Sequence, residues 1–232
     1  MTANLDCHLE GRMTDKSAKR KKNMIKQLKI KVCGMKFTEN REEVQQLPID
    51  FFGFIFYPPS KRYIGKNPPS GLFNSEKPKV GVFVDENAFE ILALAKNLGF
   101  DYIQLHGKEN PKTCQLLKNQ GLKIIKAFSI NETFQFHETE PFEGVANYFL
   151  FDTKSNLPGG SGKKFDWKIL EKYKGNTQFL LSGGIQPEDA EAIKNIDHPQ
   201  FVGVDLNSGF EDEPGLKNIE KLRSFIEEIH SL

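Results

Sequence analysis

A single closed (β/α)8 barrel of the α/β class is the fold that this sequence predicts, and three observations predict it. Eight short, nearly continuous apolar runs recur from residue 28 onward, the pattern of parallel strands buried on both faces. Their starts fall about 20–30 residues apart, the length of one strand-plus-helix unit. No second composition class interrupts the series, which favours closure into a barrel over an open doubly wound sheet.

The runs cover residues 28–33, 50–56, 79–84, 102–105, 122–128, 147–151, 177–181 and 201–206. Segments of helical character lie between them. Over 87–98, Phe89, Leu92, Ala93 and Lys96 recur at three- and four-residue intervals behind Asp85 or Asn87 as N-cap. The segment 187–195 opens with Pro187, Glu188 and Asp189, a helix start that also suits the dipole. The segment 216–230 carries Leu216, Ile219, Leu222, Phe225, Ile226 and Ile229 as an apolar stripe. The connection 57–77 is rich in Pro and Gly, which predicts a short or distorted helix there. A dinucleotide-binding alternative is weak, because no G-x-G-x-x-G follows the first strand.

The barrel is assigned to residues 27–232, compact for a fold that more often takes about 250 residues. Hydrophobic residues make up 38% of the chain and Phe contributes 20 of them against one Trp, so the core is expected to be filled with phenylalanine. Net charge is +1, which argues against nucleic acid or an anionic membrane as partner. Residues 1–26 carry seven basic and three acidic groups and read as a basic, disordered extension. They hold no apolar run of the kind export requires, and no stretch is long and apolar enough to span a bilayer. Cys7, Cys33 and Cys114 are few and unpatterned, so no metal site is expected and a reduced, cytoplasmic setting is.

In such barrels chemistry sits at the C-terminal ends of the strands. That rule selects Cys33 after the first strand, His106 after the fourth and Asp152 after the sixth. It also selects Gly183 and Gly184 after the seventh, and Asp205, Asn207 and Ser208 at the eighth. The loops after strands seven and eight often hold phosphate, because backbone N–H groups converge there with a helix N-terminus. Gly183 and Gly184 permit close approach, and Gly160, in the run 159–162, adds a third glycine-rich loop on the same face. Together these loops predict a barrel of the phosphate-binding TIM type.

A lone cysteine at a strand end is ordinarily a small buried hydrophobe. A carboxylate ending the apolar run Phe149-Leu150-Phe151 is harder to explain structurally, since burying Asp152 is costly unless it is paired or functional. Apolar walls would raise its pKa towards that of a general acid. Cys33 would need the reverse shift, towards neutrality, to serve as a base. The two residues are thus a candidate acid/base pair for moving a proton beside a carbonyl or imine.

Several segments resemble the phosphoribosylanthranilate isomerase family of tryptophan biosynthesis. They are Lys31-Val32-Cys33-Gly34-Met35, the run from Asp50 to Tyr63, Gln104-Leu105-His106-Gly107, Phe151-Asp152-Thr153, Gly159-Gly160-Ser161-Gly162, Leu181-Ser182-Gly183-Gly184-Ile185 and the run from Gly203 to Glu211. They follow in order from about residue 28 to the C-terminus. The resemblance implies an Amadori rearrangement of a phosphoribosylated small molecule without metal or organic cofactor. It implies that Asp152 is the general acid that opens the sugar ring and Cys33 the general base at C2. Arg62 would hold the anthranilate carboxylate, a task suited to its planar donor fork. Gly160, Gly183, Gly184, Asp205, Asn207 and Ser208 fall on phosphate-site segments, with Asp205 acting through its backbone or by orienting the loop. His106 either shapes the pocket or is structural.

The sequence departs from the family at Lys36, where Thr is usual, and at Asn207, where Ser is frequent. Two other readings remain beside the isomerase. One is a different phosphate-binding barrel enzyme; the other is a non-catalytic phosphosugar-binding barrel. Homodimer and monomer are both compatible with the sequence.

Overall fold

The computed structural model of the chain describes residues 27–153 and 166–231. Eight parallel strands close into a barrel in simple sequence order. They are β1 (Lys29–Cys33), β2 (Phe51–Ile55), β3 (Lys79–Phe83), β4 (Tyr102–Leu105), β5 (Lys123–Ile130), β6 (Tyr148–Thr153), β7 (Phe179–Ser182) and β8 (Phe201–Leu206). Closure is made by β1 against β8, with Lys29 opposite Gly203 and Lys31 opposite Asp205. All eight expected strands are present, within a few residues of their expected ends.

The helices follow their caps. Helix α1 spans Thr38–Gln45. Helix α2 spans Ala88–Leu98 behind the Asn87 side chain, which accepts from Phe89 N, and stops at Gly99 in the left-handed conformation. Helix α3 (Pro111–Asn119) is capped by Asn110. Three segments differ from expectation. Residues 57–77 form turns and no helix, because the prolines lack a backbone donor and Gly65 and Gly71 take positive φ. The segment from Pro187 starts as a 3-10 turn (Pro187–Asp189) and continues as the short α4 (Ala190–Lys194). The last stripe divides: Leu216–Lys217 is a strand, β10, paired with β9 (Glu211–Glu213). Helix α5 therefore begins at Ile219, where Asn218 accepts from Lys221 N.

Two cores follow from the two-residue side-chain period of the strands. Outward-facing residues pack against the helices and are dominated by phenylalanine, with ring centroids 4.8 Å apart for Phe151 and Phe179 and 5.0 Å for Phe56 and Phe83. Each fully buried ring contributes roughly 1.5–3 kcal/mol from area alone. Inside the barrel, Phe51, Tyr102 and Tyr148 form an aromatic plug near the N-terminal ends, with centroids 5.3–6.3 Å apart. Val80, Val82, Ile125, Ala127 and Leu150 fill the space above it. The same parity sends Cys33, Gln104, Asp152 and Asp205 into the open C-terminal mouth.

Candidate active site

A pocket of about 430 Å³ occupies that mouth. Of the residues singled out in the sequence, Cys33, Arg62, His106, Asp152, Gly183, Gly184, Asp205, Asn207 and Ser208 all line it. Gly160 and its loop, and the extension 1–26, lie outside the described residues.

On one side of the pocket Asp152 is 5% exposed, and its Oδ2 lies 3.2 Å from His106 Nε2. The Gln104 amide donates to His106 Nδ1 at 2.9 Å. With the amide so oriented, the imidazole carries its hydrogen on Nε2 and donates it to Asp152. Beside them, the Thr153 hydroxyl donates to Ser182 O at 3.0 Å, tying the end of β6 to β7. Gly183, with φ of 95°, crosses just above; a Cβ there would come within 2.6 Å of Asp152 Oδ1. Only glycine takes this backbone and leaves the carboxylate its place.

On the other side Cys33, 3% exposed, ends β1. Beneath it Lys31 Nζ and Asp205 Oδ1 make a buried ion pair at 2.8 Å. Glu211 binds the Nε–Nη2 edge of Arg62 and also accepts from Lys217 Nζ at 2.6 Å. Lys217 reaches Asn207 Oδ1 at 2.9 Å, and its backbone is held by Asn40 through bonds of 2.8 and 2.7 Å. Gly34, with φ of 80°, lets Arg62 and Asn207 close over the end of β1; a Cβ there would meet Arg62 Cδ at 2.8 Å.

The electrostatics follow from this clustering. Burial pushes the Cys33 thiol above its ordinary value, Lys31 and Lys217 pull it down, and Asp205 pushes it up. The thiol's shift is thus opposite to the one a general base would need, because desolvation outweighs the two ammonium groups. Lys31 stays strongly basic: burial opposes its charge, but Asp205 and Cys33 beside it outweigh that. Glu211 is held below the usual carboxylate range, since Arg62 and Lys217 overcome its burial.

The comparisons with known proteins are consistent with this architecture. A family model described as N-(5'-phosphoribosyl)anthranilate (PRA) isomerase matches residues 30–228. The chain belongs to that family. It is 50% identical over 204 residues to the N-(5'-phosphoribosyl)anthranilate isomerase of Parabacteroides distasonis, covering 86% of this chain and 92% of the relative. It is 44% identical over 200 residues to that of Phocaeicola vulgatus, covering 86% and 97%. Among solved structures, phosphoribosyl anthranilate isomerase from Thermotoga maritima superposes with a TM-score of 0.73 at 30% identity, covering 88% of this chain and all of that one. Another, a complex of phosphoribosyl anthranilate isomerase with reduced 1-(o-carboxyphenylamino)-1-deoxyribulose 5-phosphate, gives 0.71 at 28%, again covering 88% and all.

Within this isomerase barrel, Lys31, Glu211 and Lys217 around the Cys33 wall were given no individual role in the sequence reading, while Gln104 opens the run that closes the fourth strand. Lys31 carried a usable signal, a charge inside an apolar strand at the same parity as Cys33. Glu211 ends the family-like run from Gly203, and Lys217 carried no signal, because its partners are brought to it by the β9–β10 hairpin. Asp205 reaches the site through its carboxylate, bound to Lys31 below Cys33.

Proposed function

We propose that the barrel mouth carries out the family's isomerisation with Asp152 as general acid and Cys33 as general base. The enzyme is an isomerase of tryptophan biosynthesis that converts N-(5-phosphoribosyl)anthranilate to 1-(2-carboxyphenylamino)-1-deoxyribulose 5-phosphate by an Amadori rearrangement. The observation that carries the residue assignment is the placement of a buried thiol and a buried carboxylate in one pocket with opposite surroundings.

Protonated Asp152 gives its proton to the furanose ring oxygen. The C1–O bond breaks, and the anilino nitrogen's lone pair forms the C1=N bond of a Schiff base. The Cys33 thiolate then takes the C2 proton, the C–H electron pair becomes the C1=C2 bond, and the imine pair returns to nitrogen. The resulting enolamine loses its enol proton and gains one at C1, giving the ketone. Each transfer needs only a correctly placed group of suitable protonation, which is worth about 10²–10⁴ in rate.

Binding is assigned to the rim. Glu211 occupies the Nε–Nη2 edge of Arg62, so the end-on pair of nitrogens takes the anthranilate carboxylate in a two-point contact. Gly183, Gly184, Asn207 and Ser208 take the phosphate at the mouths of β7 and β8. His106 fixes Asp152 in place. A cytoplasmic setting fits the free thiols of Cys33 and Cys114.

Turnover of phosphoribosylanthranilate by the purified chain, followed by loss of anthranilate-adduct fluorescence, tests the reading. Conversion is expected in the wild type and loss in Cys33→Ala and Asp152→Asn. Full turnover by either variant removes that residue's role. A wild type that binds a product analogue without turnover supports a phosphosugar-binding barrel instead.

A further inference from the structure

Cys33 poses a problem for its assigned role, because a thiol in a dry barrel mouth is a poor base. The residue beneath it addresses the problem. Lys31 and Cys33 lie two residues apart on β1 and therefore point the same way, into the barrel. Both lie against Gly53 on β2, which is paired with Cys33. A Cβ on Gly53 would sit 2.7 Å from Cys33 Sγ and 2.9 Å from Lys31 Nζ, so the missing side chain is what brings the two groups together. Both atoms lie against that one point, so the ammonium and the sulfur are near neighbours.

Lys31 is fully buried, which is unusual for lysine unless it is paired or functional. Its ion pair with Asp205 accounts for part of the cost of burying it. The charges around Cys33 show what remains. Lys31 comes from β1, Asp205 from β8, Lys217 from β10, and Arg62 from the connection after β2; Glu211 joins Arg62 to Lys217. Three cations thus face two carboxylates on this wall. One negative charge at Cys33 would complete the balance on this wall.

We infer that Lys31 is a positioning residue for the proton abstraction, its ammonium holding the Cys33 thiolate in the water-poor mouth while Asp205 fixes the ammonium between them. The inference rests on Cys33 being the base. Lys31 touches neither the substrate nor the reacting carbon; it acts by favouring the anionic form of the group that does. Asp205 both positions Lys31 and opposes the thiolate, so the two residues have opposite electrostatic effects on the same sulfur. That opposition separates an electrostatic role from a merely structural one.

The test is the pH titration of the Cys33 thiolate, read as the ultraviolet absorbance difference between each chain and its Cys33→Ser counterpart without substrate. Lys31→Met is expected to move the midpoint up by about one pH unit or more, and Asp205→Asn to move it down. Lys31→Met leaves a buried carboxylate alone and risks misfolding. The same effect is therefore also read between Asp205→Asn and the Lys31→Met/Asp205→Asn double variant, where no carboxylate is stranded. The double variant should titrate about one unit above Asp205→Asn. The base limb of the kcat/KM profile should move with the midpoints, with KM changed by less than about threefold. Equal midpoints for Asp205→Asn and the double variant, or single variants that shift in the same direction, overturn the role of Lys31. A wild type without turnover whose midpoints still separate as described rejects the isomerase assignment alone.

Discussion

The two walls of the barrel mouth hold their reacting groups by different means. On the β1–β8 side, Cys33 stands above interlocked ion pairs: Lys31 with Asp205, and Arg62 and Lys217 with Glu211. On the β4–β6 side, the chain from Gln104 through His106 reaches Asp152. The first wall has cations close to a group that must become an anion. On the second wall, His106 makes a directional hydrogen bond with the Asp152 carboxyl group. The difference teaches that one barrel can surround two ionisable groups of the same pocket by different means, clustered buried charge around the thiol and a directional hydrogen bond at the carboxyl group.

The sharpest way to break this comparison is to remove each reacting group in turn. Cys33→Ala and Asp152→Asn should each lower kcat by at least about 10³-fold while binding of a reduced product analogue stays within a few-fold, as measured by steady-state kinetics and calorimetry. Retained turnover in one of them would assign the whole reaction to the opposite wall.

Weakening the ion-paired wall without touching the sulfur is expected to have a smaller effect and a different kinetic signature. In Glu211→Gln, Arg62 loses its charged anchor and its fork is no longer held for the carboxylate. We expect KM to rise about 10- to 30-fold, with kcat falling by less than about fivefold, consistent with a lost contact worth roughly 1.5–2 kcal/mol. A fall in kcat alone would show that Glu211 serves the chemistry rather than binding.

On the hydrogen-bonded wall, His106→Ala removes the donor to Asp152 and should lower kcat about tenfold with little effect on stability, since the imidazole is part-exposed. His106→Asn, which keeps a donor, should recover part of that loss. Equal losses in the two variants would mean that ring shape matters more than the hydrogen bond.

The smallest effect concerns acid stability. Glu211 has a folded-state pKa below its ordinary value of 4.5, so its contribution is present above the unfolded value and is lost as pH falls through the folded one. Thermal unfolding should show Glu211→Gln less stable than wild type near neutrality and the two converging as the pH drops below about 4. A gap that persists undiminished at low pH would show that the residue stabilises by packing.

The eight strands and the face of the molecule on which chemistry occurs were legible from the sequence, because a strand buried on both sides must be apolar throughout. Asp152 stood out for the same reason, as a carboxylate ending an apolar run, whereas the roles given to it and to Cys33 came from the family resemblance. The 3-10 turns and the β9–β10 hairpin were not legible. The stripe over 216–230 reads equally as one helix, and only the pairing of Leu216 with Glu213 divides it.

Cys33, Asp152, Gly183 and Gly184 were thus named from the sequence as residue types at strand ends that the closed barrel brings to one mouth, and Arg62 from the family-like run that follows the second strand. What the tertiary structure decided was their electrostatic setting. Whether Cys33 is near a cation depends on Lys31, Asp205 and Lys217, contributed by strands at opposite ends of the chain. Burial and charge add up over space and not along the chain, so the state of the thiol follows only once β1 has closed against β8.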